Sequence, residues 1–171
     1  REFSSPVRGA KVPVDLNQAI RSTLVVARSE YKYVARLETE LADLPLVPCS
    51  AGEINQVLLH LIVNAAHAIV DLPPEQRGTE GGVICVRTAL VAGAAEVSVS
   101  DTGCGIPEAL RERVFEPFFT TKDPGRASGQ GLAVARAIVV ERQDAGDASG
   151  HGEAVEKVLS GEPSALSRAK P

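Results

Sequence analysis

The chain has 171 residues, 44% of them hydrophobic and 23% charged, which suits one globular domain with its own core. Its 18 basic and 22 acidic side chains leave a net charge of −4, and aromatics make up 4% with no Trp, so neither a phosphate-neutralising nor a base-stacking nucleic-acid surface is expected. No apolar run approaches the ~18–20 residues of a membrane span and no secretory leader opens the chain, so direct membrane insertion is not expected either.

The first residue is Arg rather than Met, and the chain is expected to be a piece of a longer protein. Residues 1–13 carry Ser, Pro and Gly without periodicity and are expected to form a linker. Asp15 followed by Gln18 makes a capping box, opening a helix through about Ser29 with Leu16, Ile20 and Leu24 at helical spacing. Val34 to Leu41 predicts a strand, with Leu37, Thr39 and Leu41 alternating against Arg36, Glu38 and Glu40, and Pro45 and Pro48 are expected to end it.

Ser50 and Glu53 form a second capping box ahead of the clearest pattern in the chain. Ile54, Val57, Leu58, Leu61, Ile62, Ala65, Ala66 and Ile69 repeat as one buried helical stripe. Glu53, His60, Asn64, His67 and Asp71 cluster on another face at about 100° per residue. A solvated face usually carries Lys and Glu, whereas Asn and His suit a metal, a phosphate or another polar partner. Val83–Leu90 and Ala95–Asp101 predict a hairpin across an Ala-Gly turn. Residues 102–107 form a turn, Pro107–Val114 one or two helical turns, Phe115–Phe119 an aromatic patch, and 120–130 a loop. Gly131–Arg142 predicts a third main helix, after which the apolar rhythm fades. Cys49, Cys85 and Cys104 make neither zinc spacing nor a disulfide framework, which fits a reducing cytoplasm.

Two segments carry chemistry. Asp101-Thr-Gly-Cys-Gly105 sets a carboxylate at a strand end before two glycines. Gly103 and Gly105 allow close approach of a ligand, and Asp101 can accept a hydrogen bond from a planar base or simply start a β-turn. Ser128-Gly-Gln-Gly-Leu132 leads into a helix, so its N–H groups can face an anion such as a phosphate chain, or form a plain flexible loop.

In order and spacing these pieces resemble the ATP-binding domain of bacterial sensor histidine kinases, in the group that includes Hsp90, DNA gyrase and MutL. The resemblance spans about residues 14–142 and rests on four motifs. They are an N-box from Asn55 through His60 to Asn64 and Ala65, a first glycine box Asp101–Gly105, an F-box Phe115–Phe119, and a second glycine box Gly129-Gln130-Gly131-Leu132. It implies a two-layer α/β sandwich with a mixed, largely antiparallel sheet and three helices on one face. It also implies ATP and Mg²⁺ as ligands. Asp101 would bind the adenine amino group with Thr102, Gly103 and Gly105 nearby, and Asn64 would hold the Mg²⁺. Lys122 and the backbone of Gly129, Gln130, Gly131 and Leu132 would face the phosphates, with 120–130 as the ATP lid and Phe115 and Phe118 anchoring it. His60 and Asn64 would be the catalytic pair, and His67 would lie near the phosphates.

The sequence also departs from the family. His60 stands where most sensor kinases have Asn; chemotaxis-type kinases carry His there, and relatives that hydrolyse ATP carry Glu as a base. Residues 143–171 show no alternating apolar run, so the family's last strands are expected to be missing and the tail divergent or disordered. No His precedes His60, so the phosphoacceptor must lie elsewhere. The resemblance therefore implies a cytoplasmic catalytic domain that positions Mg·ATP for transfer to a His on a separate dimerisation domain, and that serves a response regulator indirectly. Two alternatives stand beside it: a degenerate nucleotide-binding or protein-interaction module, and an ATPase of the gyrase or Hsp90 kind.

Overall fold

The computed structural model describes residues 11–77, 81–91, 93–111, 113–116, 119 and 131. Asp15 caps the first helix, α1 (Leu16–Val26), its Oδ1 accepting from the Gln18 N–H at 3.0 Å. Leu16, Ala19, Ile20, Thr23 and Leu24 form its buried stripe. The helix does not continue to Ser29. The chain turns at Ala27, which is fully buried, and restarts as a single turn, α2 (Arg28–Tyr31). The buried Tyr31 hydroxyl donates to the Leu24 carbonyl at 3.2 Å, so the second piece folds back onto the end of the first. Core packing overrides local helix continuation here.

Two short strands were hidden by proline. β1 (Val12–Val14), whose first two residues fall in the stretch expected to be linker, pairs antiparallel with β3 (Val47–Cys49), just ahead of the Ser50 helix cap. Pro13 faces Pro48 in this register. Alternate positions of an antiparallel pair exchange no N–H bonds, so two facing prolines cost the ladder nothing.

The main sheet has the order β2-β4-β5, built from β2 (Ala35–Leu41), β4 (Gly82–Val91) and β5 (Ala94–Asp101). β4 and β5 form the expected hairpin, turning through Gly93 at φ 81°. β2 runs parallel to β4, a pairing that requires a crossover, and α3 (Ala51–Val70) supplies it. Ser50 caps α3 by accepting from the Glu53 N–H at 3.4 Å. By length and composition alone α3 is long and apolar enough to cross a membrane. It is a core helix, because Val57, Leu58, Ile62, Ala65, Ala66 and Ile69 are buried and polar residues interrupt its other face.

Ile20, Leu24, Ala27 and Tyr31 meet Leu58, Ile62, Ala65, Ala66 and Ile69 over Ile84 and Val86, with Leu37, Leu41, Val97 and Val99 packed around them. Each fully buried Ile or Val here stabilises the fold by roughly 1.5–3 kcal/mol. The buried Thr88 hydroxyl donates to Asn17 Oδ1 (3.1 Å) and accepts from the Ala42 N–H (2.9 Å), while Asn17 Nδ2 donates to the Ala42 carbonyl (2.7 Å). That closed triangle ties α1 to the main sheet without leaving a polar group unsatisfied. Facing Arg87 in register, Glu40 accepts from its Nη2 at 2.9 Å, and this hydrogen bond holds the Glu40 carboxyl below its usual range. The result is the two-layer arrangement with a mixed sheet, helices stacked on one face. Residues 143–171, expected to be a divergent tail, lie outside the described residues.

Candidate functional site

His60, Asn64 and Ala68 follow one another at four-residue spacing on α3, about 6 Å apart along the helix axis. All three are half-buried. One glycine-containing segment meets this row at each end, with Asn64 between them.

At the Ala68 end sits the segment that follows β5. Asp101 is the last residue of that strand, and its Oδ1 accepts from the Gly103 N–H at 2.8 Å, a side chain closing its own turn. The Cys104 N–H donates to the Ala68 carbonyl at 3.0 Å. A Cβ on Gly103 would lie 2.5 Å from the Ala68 carbonyl carbon, so glycine is required for the loop to touch the helix. Gly105 has φ 66° and open space around it, which leaves its backbone accessible to a ligand. Thr102, expected near the ligand, is tied to the start of β4. Its hydroxyl accepts from the Val83 N–H at 2.9 Å, and its own N–H donates to the Val83 carbonyl at 3.1 Å. Thr102 locks the hairpin base, keeping one O–H to give.

At the other end Gly131 packs on His60. A Cβ there would lie 3.1 Å from His60 Nδ1, so this glycine too is matched to the helix row.

Electrostatics mark the same places. The loop around Asp101 strips enough water from its carboxylate to push its pKa above the usual range, although the Gly103 N–H opposes the shift. Burial pulls the His60 pKa down, so the ring is neutral at pH 7. The C-terminal end of α3 is closed by Arg77, whose guanidinium donates to the Leu72 carbonyl at 2.8 Å and to the Val70 carbonyl. Those carbonyls carry the negative end of the helix dipole, which a cation complements.

Among the described residues no group of three or more His, Cys, Asp or Glu side chains is placed to hold a metal ion. Asn64, half-buried on the row, makes no side-chain hydrogen bond among the described residues, and its amide oxygen is of the hard type that Mg²⁺ takes beside waters and substrate phosphates. The residues present therefore fit a purine at Asp101 and a phosphate-borne cation at Asn64.

Gly103 thus meets α3 at Ala68 and Gly131 meets it at His60, with Asn64 between them on the helix and Asp101, Thr102 and Gly105 beside Gly103 in the chain. His67 lies on the same helix, half-buried, in the last turn. Lys122, Gly129, Gln130 and Leu132, with the expected lid, lie outside the described residues. The sequence reading missed Ala68 and Arg77. Ala68 had a signal, a small residue one helical turn beyond Asn64, where close approach of another backbone needs it. Arg77 had none, because it acts across a break from the helix it caps.

The family described as histidine kinase-, DNA gyrase B- and HSP90-like ATPase matches residues 50–159. The chain is 31% identical over 150 residues, 83% of its length, to the signal transduction histidine-protein kinase AtoS of Escherichia coli, of which it covers 22%. The chain spans under a third of the length of the curated relatives it is compared with, from 11% to 28%. The catalytic domain of the histidine kinase ThkA, in a nucleotide-free form, superposes with a TM-score of 0.64 at 29% identity, over 77% of this chain and 80% of that one. ThkA bound to its response regulator TrrA gives 0.60 at 28%, over 78% of this chain and 35% of that one.

Proposed function

This chain belongs to the histidine kinase-, DNA gyrase B- and HSP90-like ATPase family, as the ATP-binding catalytic domain of a sensor histidine kinase, and we propose that it positions Mg·ATP for phosphoryl transfer to a His on a separate dimerisation domain. The observation that carries this reading is the row His60, Asn64, Ala68 with a glycine contact at each end. Asp101, anchored in its turn by the Gly103 N–H, presents its second carboxylate oxygen to the adenine amino group. The open backbone at Gly105 lets the ring approach. Asn64, midway along the row, offers its amide oxygen to the ion.

Held by Asn64, Mg²⁺ would supply charge neutralisation for the transferred phosphoryl group. The protein's own share is positioning: an immobile purine site at one end, an oxygen ligand in the middle and a fixed separation between them. The phosphates themselves fall to Lys122 and the backbone of Gly129, Gln130, Gly131 and Leu132, with His67 at the edge of the site. The acceptor His comes from the dimerisation domain, a response regulator is served through it, and the catalytic domain works in the cytoplasm.

Calorimetric titration with Mg·ATP tests the reading, and Asn64→Ala sharpens it. The variant is expected to lose about tenfold in affinity when Mg²⁺ is present, the worth of one contact to a charged group, and little when it is chelated. A folded wild-type protein with no affinity for the nucleotide sinks the proposal and leaves the degenerate module. Equal losses with and without Mg²⁺ remove Asn64 from its role.

A further inference from the structure

The carbonyls that close α3 draw their donors from different parts of the chain. The His67 carbonyl accepts from the Asp71 N–H at 2.9 Å, which continues the helix ladder. The Leu72 N–H, whose helical partner would be the Ala68 carbonyl, donates instead to Ile69 at 3.2 Å. Arg77 serves Val70. The Ala68 carbonyl is thereby released from the helix, and the Cys104 N–H takes it at 3.0 Å. On the loop, three successive N–H groups point three ways: Thr102 to the Val83 carbonyl, Gly103 to Asp101 Oδ1 and Cys104 to Ala68. Of these three, only the last reaches α3. The approach is so close that a Cβ on Gly103 would lie 2.5 Å from the Ala68 carbonyl carbon, 2.7 Å from its oxygen and 2.6 Å from the Ala68 Cβ. No rotamer change relieves such distances, because the atoms met are main chain and the root of a side chain.

From this arrangement we infer that Ala68 is a positioning residue for Asp101: its released carbonyl seats the Asp101–Gly105 loop on α3, and its single methyl lets Gly103 lie against the helix. The inference rests on the reading of the site as a nucleotide site, and it names the residue that sets where the purine end stands. Ala68 touches no ligand in this role. It acts through Cys104 and Gly103, since the N–H that fixes the Asp101 carboxylate belongs to the residue lying on Ala68. Thr102 ties the loop only to β4. Without the seat on Ala68 the carboxylate would keep its strand but lose its spacing from Asn64, one turn back along α3. Two added methyls at position 68 would hold Gly103 off the helix, whereas removing the native methyl would leave the carbonyl and the seat in place.

The full chain carries the test, as wild type, Ala68→Val and Ala68→Gly, each also combined with Asp101→Asn. Mg·ADP affinity is read by calorimetry, ligand-free stability by thermal unfolding, and the seat itself by hydrogen exchange of the Cys104 amide. Ala68→Val is expected to weaken Mg·ADP binding about tenfold beside the native Asp101 and less than about threefold beside Asp101→Asn, where the carboxylate it would displace is already gone. Its Cys104 amide is expected to exchange at least about tenfold faster than in wild type. Ala68→Gly is expected to lose less than about threefold in affinity even though glycine weakens the helix and lowers the melting temperature. Ala68→Ser, one atom larger than the native residue, takes the place of Ala68→Val in the cycle if that variant does not fold. Equal losses from Ala68→Val in both backgrounds overturn the positioning role, since bulk that merely obstructs the ligand needs no Asp101. So do valine and glycine variants whose affinities fall in step with their melting temperatures, or a Cys104 amide that exchanges in Ala68→Val as it does in wild type. A wild-type protein that ignores Mg·ADP overturns the nucleotide reading, and the role toward Asp101 with it; faster Cys104 exchange in Ala68→Val then still establishes Ala68 as the seat of the loop.

Discussion

The two ends of the α3 row are built differently. At Ala68 the glycine segment is fastened by one main-chain hydrogen bond and by a carboxylate that folds its own turn; at the other end the atoms nearest a Cβ built on Gly131 are those of the His60 side chain. Backbone bonds fix geometry regardless of side chain, whereas a packed ring can be exchanged for another residue and the spacing changes with it. The Ala68 end is therefore set by the backbone, whereas the His60 end depends on which side chain stands at position 60.

The sharpest way to break that contrast is Gly103→Ala. A methyl 2.5 Å from the α3 backbone cannot be accommodated by a rotamer change, so the loop must lift from the helix. Overpacking of this kind costs about 1–3 kcal/mol, and the expected outcome is a lower denaturation midpoint together with a loss of Mg·ATP affinity greater than about tenfold. Wild-type affinity in this variant would mean that the loop does not need its contact with Ala68.

Asp101→Asn separates ligand from fold at the same end. Removing the charge from a hydrogen bond to adenine is expected to weaken nucleotide binding by about 1.5 kcal/mol, near tenfold. Stability behaves otherwise. The folded chain holds the Asp101 proton more tightly than the unfolded chain, whose carboxyl titrates near its ordinary 3.8. The stabilisation this brings is present below that value and is lost as pH rises through the higher folded pKa. At neutral pH the ionised carboxylate is a cost, so ligand-free Asp101→Asn is expected to melt no lower than wild type there, and to lose the wild type's relative gain on acidification. A large drop in melting temperature at neutral pH would show Asp101 to be structural. The smallest effect belongs to Arg77→Ala. It strips two carbonyls of their donor at the end of α3 and is expected to cost about 1 kcal/mol of stability, with less than about threefold in Mg·ATP affinity. A tenfold affinity loss would instead tie the purine end to the helix terminus.

Where local rules act alone, these elements are legible from sequence. The α3 stripe, its Ser50 cap, the Asp15 cap and the β4–β5 hairpin each follow from residue spacing and turn chemistry. The misses share one cause, that distant parts of the chain decide them. Nothing local to Val25-Val26-Ala27 stops a helix; the break comes from Tyr31 seeking the core and the Leu24 carbonyl. Pro13 and Pro48 argue against strands until they face each other. Of the site, Asp101, Gly103, Gly105 and Asn64 announced themselves by residue type and order. Ala68 did not, because its contribution is a backbone carbonyl and the lack of bulk. The work that Thr102 does for Val83 was likewise invisible, since a hydroxyl beside a glycine turn serves a ligand or a strand equally well.

The parallel pairing of β2 with β4 bears on how the chain is made. Glu40 and its partner Arg87 stand 47 positions apart, so Ala35–Leu41 leaves the ribosome well before its sheet neighbour has been synthesised. The β4–β5 hairpin, by contrast, closes between adjacent segments as soon as both have emerged. The pairing of β2 therefore cannot close until α3 has been made and β4 has followed it.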